Sequence, residues 1–110
     1  MKLIADAGRE PGVTIAPGVV RQVLAYGGNL MMARFSFDAG AAAEWHSHPH
    51  EQVSCIVSGE IDYFTEGQPP QRLSAGCSFY VPSNLKHRVA ALVPTVILDI
   101  FSPQREEFLV

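Results

Sequence analysis

The feature that most constrains the fold is a series of short β-rich runs separated by turn signals, with almost no helical periodicity. The 110 residues include 9 Gly and 8 Pro. Turn signals spaced about 8–12 residues apart are typical of an all-β sandwich or barrel. The sequence predicts about eight strands, namely Val19–Tyr26, Leu30–Phe37, Gln52–Val57, Ile61–Thr65, Gln71–Ser74, Cys77–Val81, Lys86–Leu92 and Thr95–Phe101.

Most of these strands are fairly apolar on both sides. A closed double-sheet barrel, with part of its exterior covered, explains this better than an open sheet. The extra apolar exterior leads us to expect a homodimer. We expect one domain over residues 1–110, with an N-terminal arm over roughly 1–16, a barrel core over roughly 30–101, and a tail over 102–110 that is either a helical turn or an extended strap.

Composition limits the partners and the compartment. A net charge of -3 without a basic run argues against nucleic acid. The segment Met1–Asp6 lacks the apolar core of a signal peptide, and the apolar run Val89–Leu98 is too short to span a bilayer. We therefore expect a cytoplasmic protein without a membrane partner. We expect Cys55 and Cys77 to be reduced and buried, with a single bridge between them as the alternative.

Three of the four histidines lie in the stretch W-H-S-H-P-H-E-Q-V, residues 45–53. On a strand, side chains two apart share a face. His46, His48 and Gln52 therefore face one way, and Glu51 is expected to point out of the barrel. His87 could supply a further ligand from a neighbouring strand. Three imidazoles and an oxygen donor suit Zn, Fe, Ni, Mn or Co; the alternative is a group of polar surface histidines.

A second cluster lies in the last predicted strand. Asp99 has the same parity as Ile97 and Phe101, so the three share a face. Asp99 inside the barrel, near the metal, would be a general acid or base, whereas an outward-facing or turn Asp is the alternative. Arg105 either bends back over the mouth to clamp a carboxylate or pairs in solvent with one of the two glutamates that follow it.

Two spaced motifs give the chain a resemblance to a known family. Gly40–Gly59 fits G-x5-H-x-H-x3-E-x6-G with Gln in the Glu position, and Gly76–His87 fits G-x5-P-x-G-x2-H with Asn84 in the Gly position. These motifs are similar to the two that define cupins, over roughly Gly40–Ala91. The resemblance implies a single cupin domain, a double-stranded β-helix or jelly-roll barrel. It implies the metal ligands His46, His48, Gln52 and His87, and leaves His50 as an outer-shell or mouth-lining residue.

The two departures from the cupin motifs have different weight. Asn84 is tolerated in the place of glycine because Asn also adopts positive φ. Gln52 is more consequential, because four neutral protein ligands would leave the full charge of a divalent ion in place. That charge favours an anionic ligand and Lewis-acid chemistry over redox cycling.

The resemblance points to one group within the cupins when the stretch H-S-H-P-H-E-Q is taken together with V-S-G-E and the terminal L-D-I-F-S-P-Q-R-E-E-F-L. These segments resemble small cupins of the KdgF type, which act in pectin and alginate breakdown and convert 4,5-unsaturated monouronates into linear keto sugars. The resemblance implies an isomerase- or lyase-type enzyme for a small anionic sugar acid, with Asp99, Phe101 and Arg105 lining the substrate site. The alternatives are a metal-dependent oxygenase acting on a small diketone or thiol, and a non-catalytic sugar-acid sensor or binding module.

Overall fold

The computed structural model describes all 110 residues and is built from two antiparallel sheets. The larger sheet has the strand order β1-β2-β3-β9-β4-β7, and the smaller has the order β6-β5-β8. A short 3-10 helix, Glu106–Leu109, follows the last strand. The strands are β1 (Val13–Ala16), β2 (Val19–Gly27), β3 (Leu30–Phe37), β4 (Glu51–Ser58), β5 (Glu60–Thr65), β6 (Gln71–Ser74), β7 (Ser78–Val81), β8 (His87–Ala91) and β9 (Thr95–Ser102).

All eight predicted strands are present, each to within one residue at either end. The all-β, double-sheet prediction is confirmed. The sequence missed β1, a four-residue edge strand whose side chains are mostly exposed and which therefore lacks an alternating apolar pattern. The tail forms a helical turn and not an extended strap. No helix in the structure is long and apolar enough to cross a membrane.

The core lies between the two sheets and follows the two-residue period of the strands. Along β4, Gln52, Ser54 and Ile56 are buried while their neighbours are exposed. A second, smaller apolar cluster of Met31, Ala33 and Phe101 packs nearby. The main cluster is formed by Val19, Phe37, Ile56, Ile61, Tyr63, Val81, Ala91 and Ile97.

An irregular segment over residues 40–46 extends the smaller sheet beyond β8. Its backbone forms hydrogen bonds with β8 along the whole strand, ending in a reciprocal pair between His46 and His87, with N···O distances of 3.0 and 2.9 Å. The segment is not a regular strand, but it brings the two predicted halves of the histidine site face to face. This pairing is the part of the fold on which the site depends.

The expectation of two buried cysteines is wrong for Cys55, which is exposed, while Cys77 is partly buried; both are free thiols. Cys55 lies one residue out of phase with the buried positions of β4, so it faces outward. The outer face of the larger sheet also exposes apolar side chains, and the homodimer stays a prediction. These side chains include Val53, Val57, Tyr80 and Ile100.

Four motif positions, Gly40, Gly59, Gly76 and Asn84, have a positive φ. Asn84 has a φ of 66°, as anticipated for a residue in the place of glycine. Gly59, between β4 and β5, has a φ of 95°. A Cβ atom there would lie 2.5 Å from the Pro94 carbonyl oxygen and 2.7 Å from Thr95 Cα. Gly59 is therefore required both for its conformation and for the close approach of another backbone segment.

We predict that Gly59→Ala lowers the free energy of unfolding by about 3 kcal/mol, because strain and a backbone clash add. Gly67→Ala is the matched control, since Gly67 has a φ of 79° and open space around its Cα. It should cost only about 1 kcal/mol. Urea denaturation of both variants measures the difference. Equal losses in the two variants would show that the contact with the Pro94–Thr95 backbone has no energetic role.

Candidate metal centre and cavity

The rings of His46, His48 and His87 converge on one point. A single nitrogen from each ring lies within 4.8 Å of the other two. The prediction that His46 and His48 lie on one regular strand is wrong, since both precede β4, separated from it by Pro49 and His50. Their common direction is nevertheless correct, because His46 is held against His87 by the backbone pairing.

Each of the three rings is oriented by a hydrogen bond from its Nδ1 to a backbone carbonyl. Because a carbonyl oxygen only accepts, each Nδ1 carries the proton, and each Nε2 has a free lone pair. This arrangement is typical of metal-ligating histidines, whose second nitrogen fixes the tautomer. The acceptors for His46, His48 and His87 are the carbonyl oxygens of Glu44, His50 and Leu85, at 2.9, 3.1 and 2.8 Å.

Gln52 extends this group towards Asp99. The Ser54 hydroxyl donates to Asp99 Oδ1 at 2.6 Å, so Ser54 Oγ must accept from Gln52 Nε2, at 2.8 Å. The Gln52 Oε1 atom is thereby directed at His48 Nε2, 3.0 Å away. Two acceptors face each other across this distance, which is unfavourable unless a cation or a proton lies between them.

A second buried acceptor lacks a partner. The Nε2 atom of His87 is buried and makes no hydrogen bond. Burial lowers the pKa of His87 to about 4, and burial followed by the charge of Arg105 lowers the pKa of His48. Both rings are therefore neutral at pH 7, the form that binds metals. The three histidines fit a metal ion, with their lone pairs aimed at one place.

Asp99 lies on the cavity side of β9, directly opposite Ser54 of β4. Ile97 and Phe101 line the same cavity, as the parity predicted, and the outward-facing alternative is wrong. Burial raises the pKa of Asp99 to about 6, against the opposing effects of the Ser54 hydrogen bond and the charge of Arg105. The only ionisable side chain of this strand is thus enclosed beside the histidine group.

Arg105 both faces the cavity and pairs with a glutamate, the two alternatives predicted for it. Its guanidinium forms an ion pair with the exposed carboxylate of Glu107. It also lines the cavity, with its central carbon 5.1 Å from the ring centroid of Phe101 and 4.4 Å from that of Phe108. The side chain is only 16% exposed. The arginine therefore bends back over the mouth while keeping its local partner.

Two neighbours of the histidine group stay outside it. Glu51 points away from the barrel and accepts a hydrogen bond from the Tyr80 hydroxyl, as its parity predicted. His50 contributes its backbone carbonyl to His48, and its ring is not one of the three that converge. His50 is thus an outer residue that orients a ring.

His46 and His87 of the histidine group, together with Gln52, Asp99 and Arg105, line a single cavity of about 660 Å³. Roughly 300–1,000 Å³ is the usual size of a small-molecule site. Twelve of the twenty lining residues are hydrophobic, and Trp45 lies at the rim. Sequence reasoning missed Arg21 and Phe108 as lining residues. Arg21 shares the parity of the buried Val19, a signal that could have placed it inside.

Comparisons with known proteins agree with this architecture. The sequence profile of the cupin domain matches residues 33–101. The chain is 30% identical over 101 residues to the pectin degradation protein KdgF of Dickeya dadantii, an alignment that spans 90% of this chain and 91% of that protein.

Two solved structures superpose over nearly the whole chain. An RmlC-like cupin from Shewanella frigidimarina gives a TM-score of 0.91 at 33% identity, covering 98% of this chain and 96% of that one. KdgF from Halomonas sp. gives 0.89 at 31% identity, covering 96% and 98% respectively. The chain therefore belongs to the cupin family and is a small cupin that resembles KdgF.

Proposed function

We propose that this protein is a metal-dependent isomerase that opens the ring of 4,5-unsaturated monouronates from pectin or alginate breakdown and yields the linear keto sugar acid. The observation that carries the proposal is the meeting of three groups in one cavity: a histidine cluster, an enclosed acid and an arginine at the mouth. The likeness to two proteins named KdgF, one of them described as a pectin degradation protein, supports it.

The metal would be held by the Nε2 atoms of the three histidines and by Gln52 Oε1. These are the atoms left without a hydrogen-bond donor. When bound, a divalent ion would supply Lewis-acid polarisation of a substrate oxygen. The donor set accommodates Ni, Zn, Fe, Mn or Co. All four donors are neutral, so the site favours an anionic substrate.

The protein side chains would share the remaining work. Arg105 would bind and orient the carboxylate of the uronate, since a guanidinium matches a carboxylate in a bidentate pair. Phe101 would form the wall against which the sugar ring packs. Ser54 would hold the Asp99 carboxyl in place through its 2.6 Å hydrogen bond.

Asp99 would move the proton. In the reaction, the hemiacetal hydroxyl loses its proton and the bond from the anomeric carbon to the ring oxygen breaks, giving an aldehyde and an enolate. The enolate then becomes a ketone by taking up a proton on carbon. One proton is removed and one is returned, so a single acid–base group suffices and no oxidant is needed.

The proposal is tested by mixing metal-loaded protein, without oxygen, with unsaturated galacturonate or mannuronate freshly made by a lyase. We predict that the ultraviolet band of the enol acid disappears faster than in the absence of protein. Lack of acceleration with either uronate would contradict the proposal. Thermal stabilisation by the uronate without product would then indicate a binding module, and oxygen consumption with a diketone or thiol would indicate an oxygenase.

We predict that Asp99→Asn lowers kcat by about 100-fold or more, because the amide keeps the shape but cannot transfer the proton. Asp62→Asn is the matched control, since Asp62 pairs with Arg72 on the exposed part of β5. Metal content and kcat are measured for both variants. Loss of metal from Asp99→Asn, or activity close to that of the native protein, would remove Asp99 from the proposed role.

We predict that Gln52→Glu retains metal but lowers kcat/KM for the uronate by at least about tenfold. The new carboxylate would reduce the positive charge at the metal and would repel both Asp99 and the substrate. Metal analysis and steady-state kinetics check this. Unchanged kcat/KM in a metal-loaded Gln52→Glu variant would show that the neutral ligand is not what selects an anionic substrate.

A further inference from the structure

Arg21 is a cavity-lining arginine without a direct ion-pair partner. It lies on β2, half-buried, and faces the same cavity as the histidine group. None of the four ion pairs of the structure includes it; they are Lys2–Glu10, Arg9–Asp6, Arg72–Asp62 and Arg105–Glu107. The Glu107 carboxylate is near enough to favour the charged form of Arg21 but does not pair with it directly, so the N–H donors of Arg21 are open to a further anion.

The ring of Phe108 joins Arg21 to Arg105. The central guanidinium carbon of Arg21 lies 4.0 Å from the centroid of this ring, and that of Arg105 lies 4.4 Å from it. Phe108 is anchored in turn by edge contacts with Phe35 and Phe101, at centroid distances of 6.4 and 5.8 Å. Stacking on a ring leaves the N–H edge of a guanidinium free to donate.

Two like charges are held close together beside Phe108. Burial lowers the pKa of Arg21 and the charge of Arg105 lowers it further, against the opposing effect of the Glu107 carboxylate. Glu107 forms an ion pair with Arg105 alone and is 53% exposed. Arginine stays protonated in proteins, so two guanidinium charges line the cavity, together with the carboxylates of Asp99 and Glu44.

We propose that Arg21 is an anion-binding residue, and that Arg21 and Arg105, held by Phe108, form an arginine clamp for the carboxylate of a small sugar acid. The identity of the sugar acid rests on the proposed function, whereas the clamp rests on the contacts of Arg21. A neutral sugar would offer the two guanidiniums no charged acceptor and would bind more weakly.

The test uses stable ligands that cannot be turned over. Metal-loaded protein is titrated with galacturonate and, separately, with galactose, and binding is followed by calorimetry. We predict binding of galacturonate and at least about tenfold weaker binding of galactose. Arg21→Gln should raise the Kd for galacturonate by about 10- to 100-fold, the usual loss for a hydrogen bond to a charged group.

Arg72→Gln is the matched control, because it removes the same charge from an exposed position far from the cavity lining. Its Kd for galacturonate should stay within about twofold of the native value. Arg21→Lys, which keeps the charge without the stacked fork, should recover part of the affinity lost in Arg21→Gln. The melting temperature and metal content of each ligand-free variant show whether it is folded and loaded.

Three results would overturn the clamp: equal affinity for galacturonate and galactose, an unchanged Kd in folded Arg21→Gln, or an equal loss of affinity in Arg72→Gln.

The clamp and the proposed function can be contradicted independently of each other. If the protein binds galacturonate through Arg21 but does not accelerate the loss of unsaturated uronate, the clamp is supported and the proposed function is contradicted. If the Arg21→Gln variant turns over the uronate with the KM of the native protein, the proposed function is supported and the clamp is contradicted.

Discussion

The backbone pairing of His46 with His87 is the constraint on which the rest of the site depends. The two residues are forty-one positions apart in the sequence (87 minus 46) and are joined by reciprocal hydrogen bonds at the edge of the smaller sheet. Without this pairing, the W-H-S-H-P-H stretch would be a loop with polar side chains. With it, two imidazoles meet at a fixed distance, and the third, from His48, enters beside them.

A chain of oriented hydrogen bonds then connects the histidines to the acid. The register of β4 and β9 places Ser54 opposite Asp99 and Gln52 opposite Phe101. Since a carboxylate only accepts, Ser54 donates to Asp99 and in turn accepts from the amide nitrogen of Gln52. The amide oxygen of Gln52 is then left facing His48. The proposed metal ligand Gln52 and the acid Asp99 are thus parts of one hydrogen-bond network, so we expect a change at either residue to alter the other.

Sequence reasoning predicted what depends on local parity and on motif spacing. The alternation of β4 selected Gln52 over Glu51, and the parity of β9 placed Asp99 and Phe101 inside. The spacing of the two motifs indicated that His87 would join the others. These features follow from the two-residue period of a strand, which the sequence displays directly.

What the sequence did not predict depends on contacts between distant segments. Arg21 is adjacent to no motif, and the role proposed for it rests on its contact with Phe108, close to the end of the sequence. The short strand β1 has no buried face to reveal it. The exposure of Cys55 follows from strand parity, which the expectation of a reduced, buried thiol did not take into account.

The central claim is that one cavity holds a metal on neutral donors and an acid sugar on its arginines. The most direct measurement is a crystal structure of the metal-loaded protein with galacturonate, with the ion located by anomalous scattering. The account predicts an ion about 2.0–2.2 Å from the Nε2 atoms of His46, His48 and His87 and from Gln52 Oε1, with the carboxylate on Arg21 and Arg105. An ion held by His50 or Glu51, or a carboxylate remote from both arginines, would contradict it.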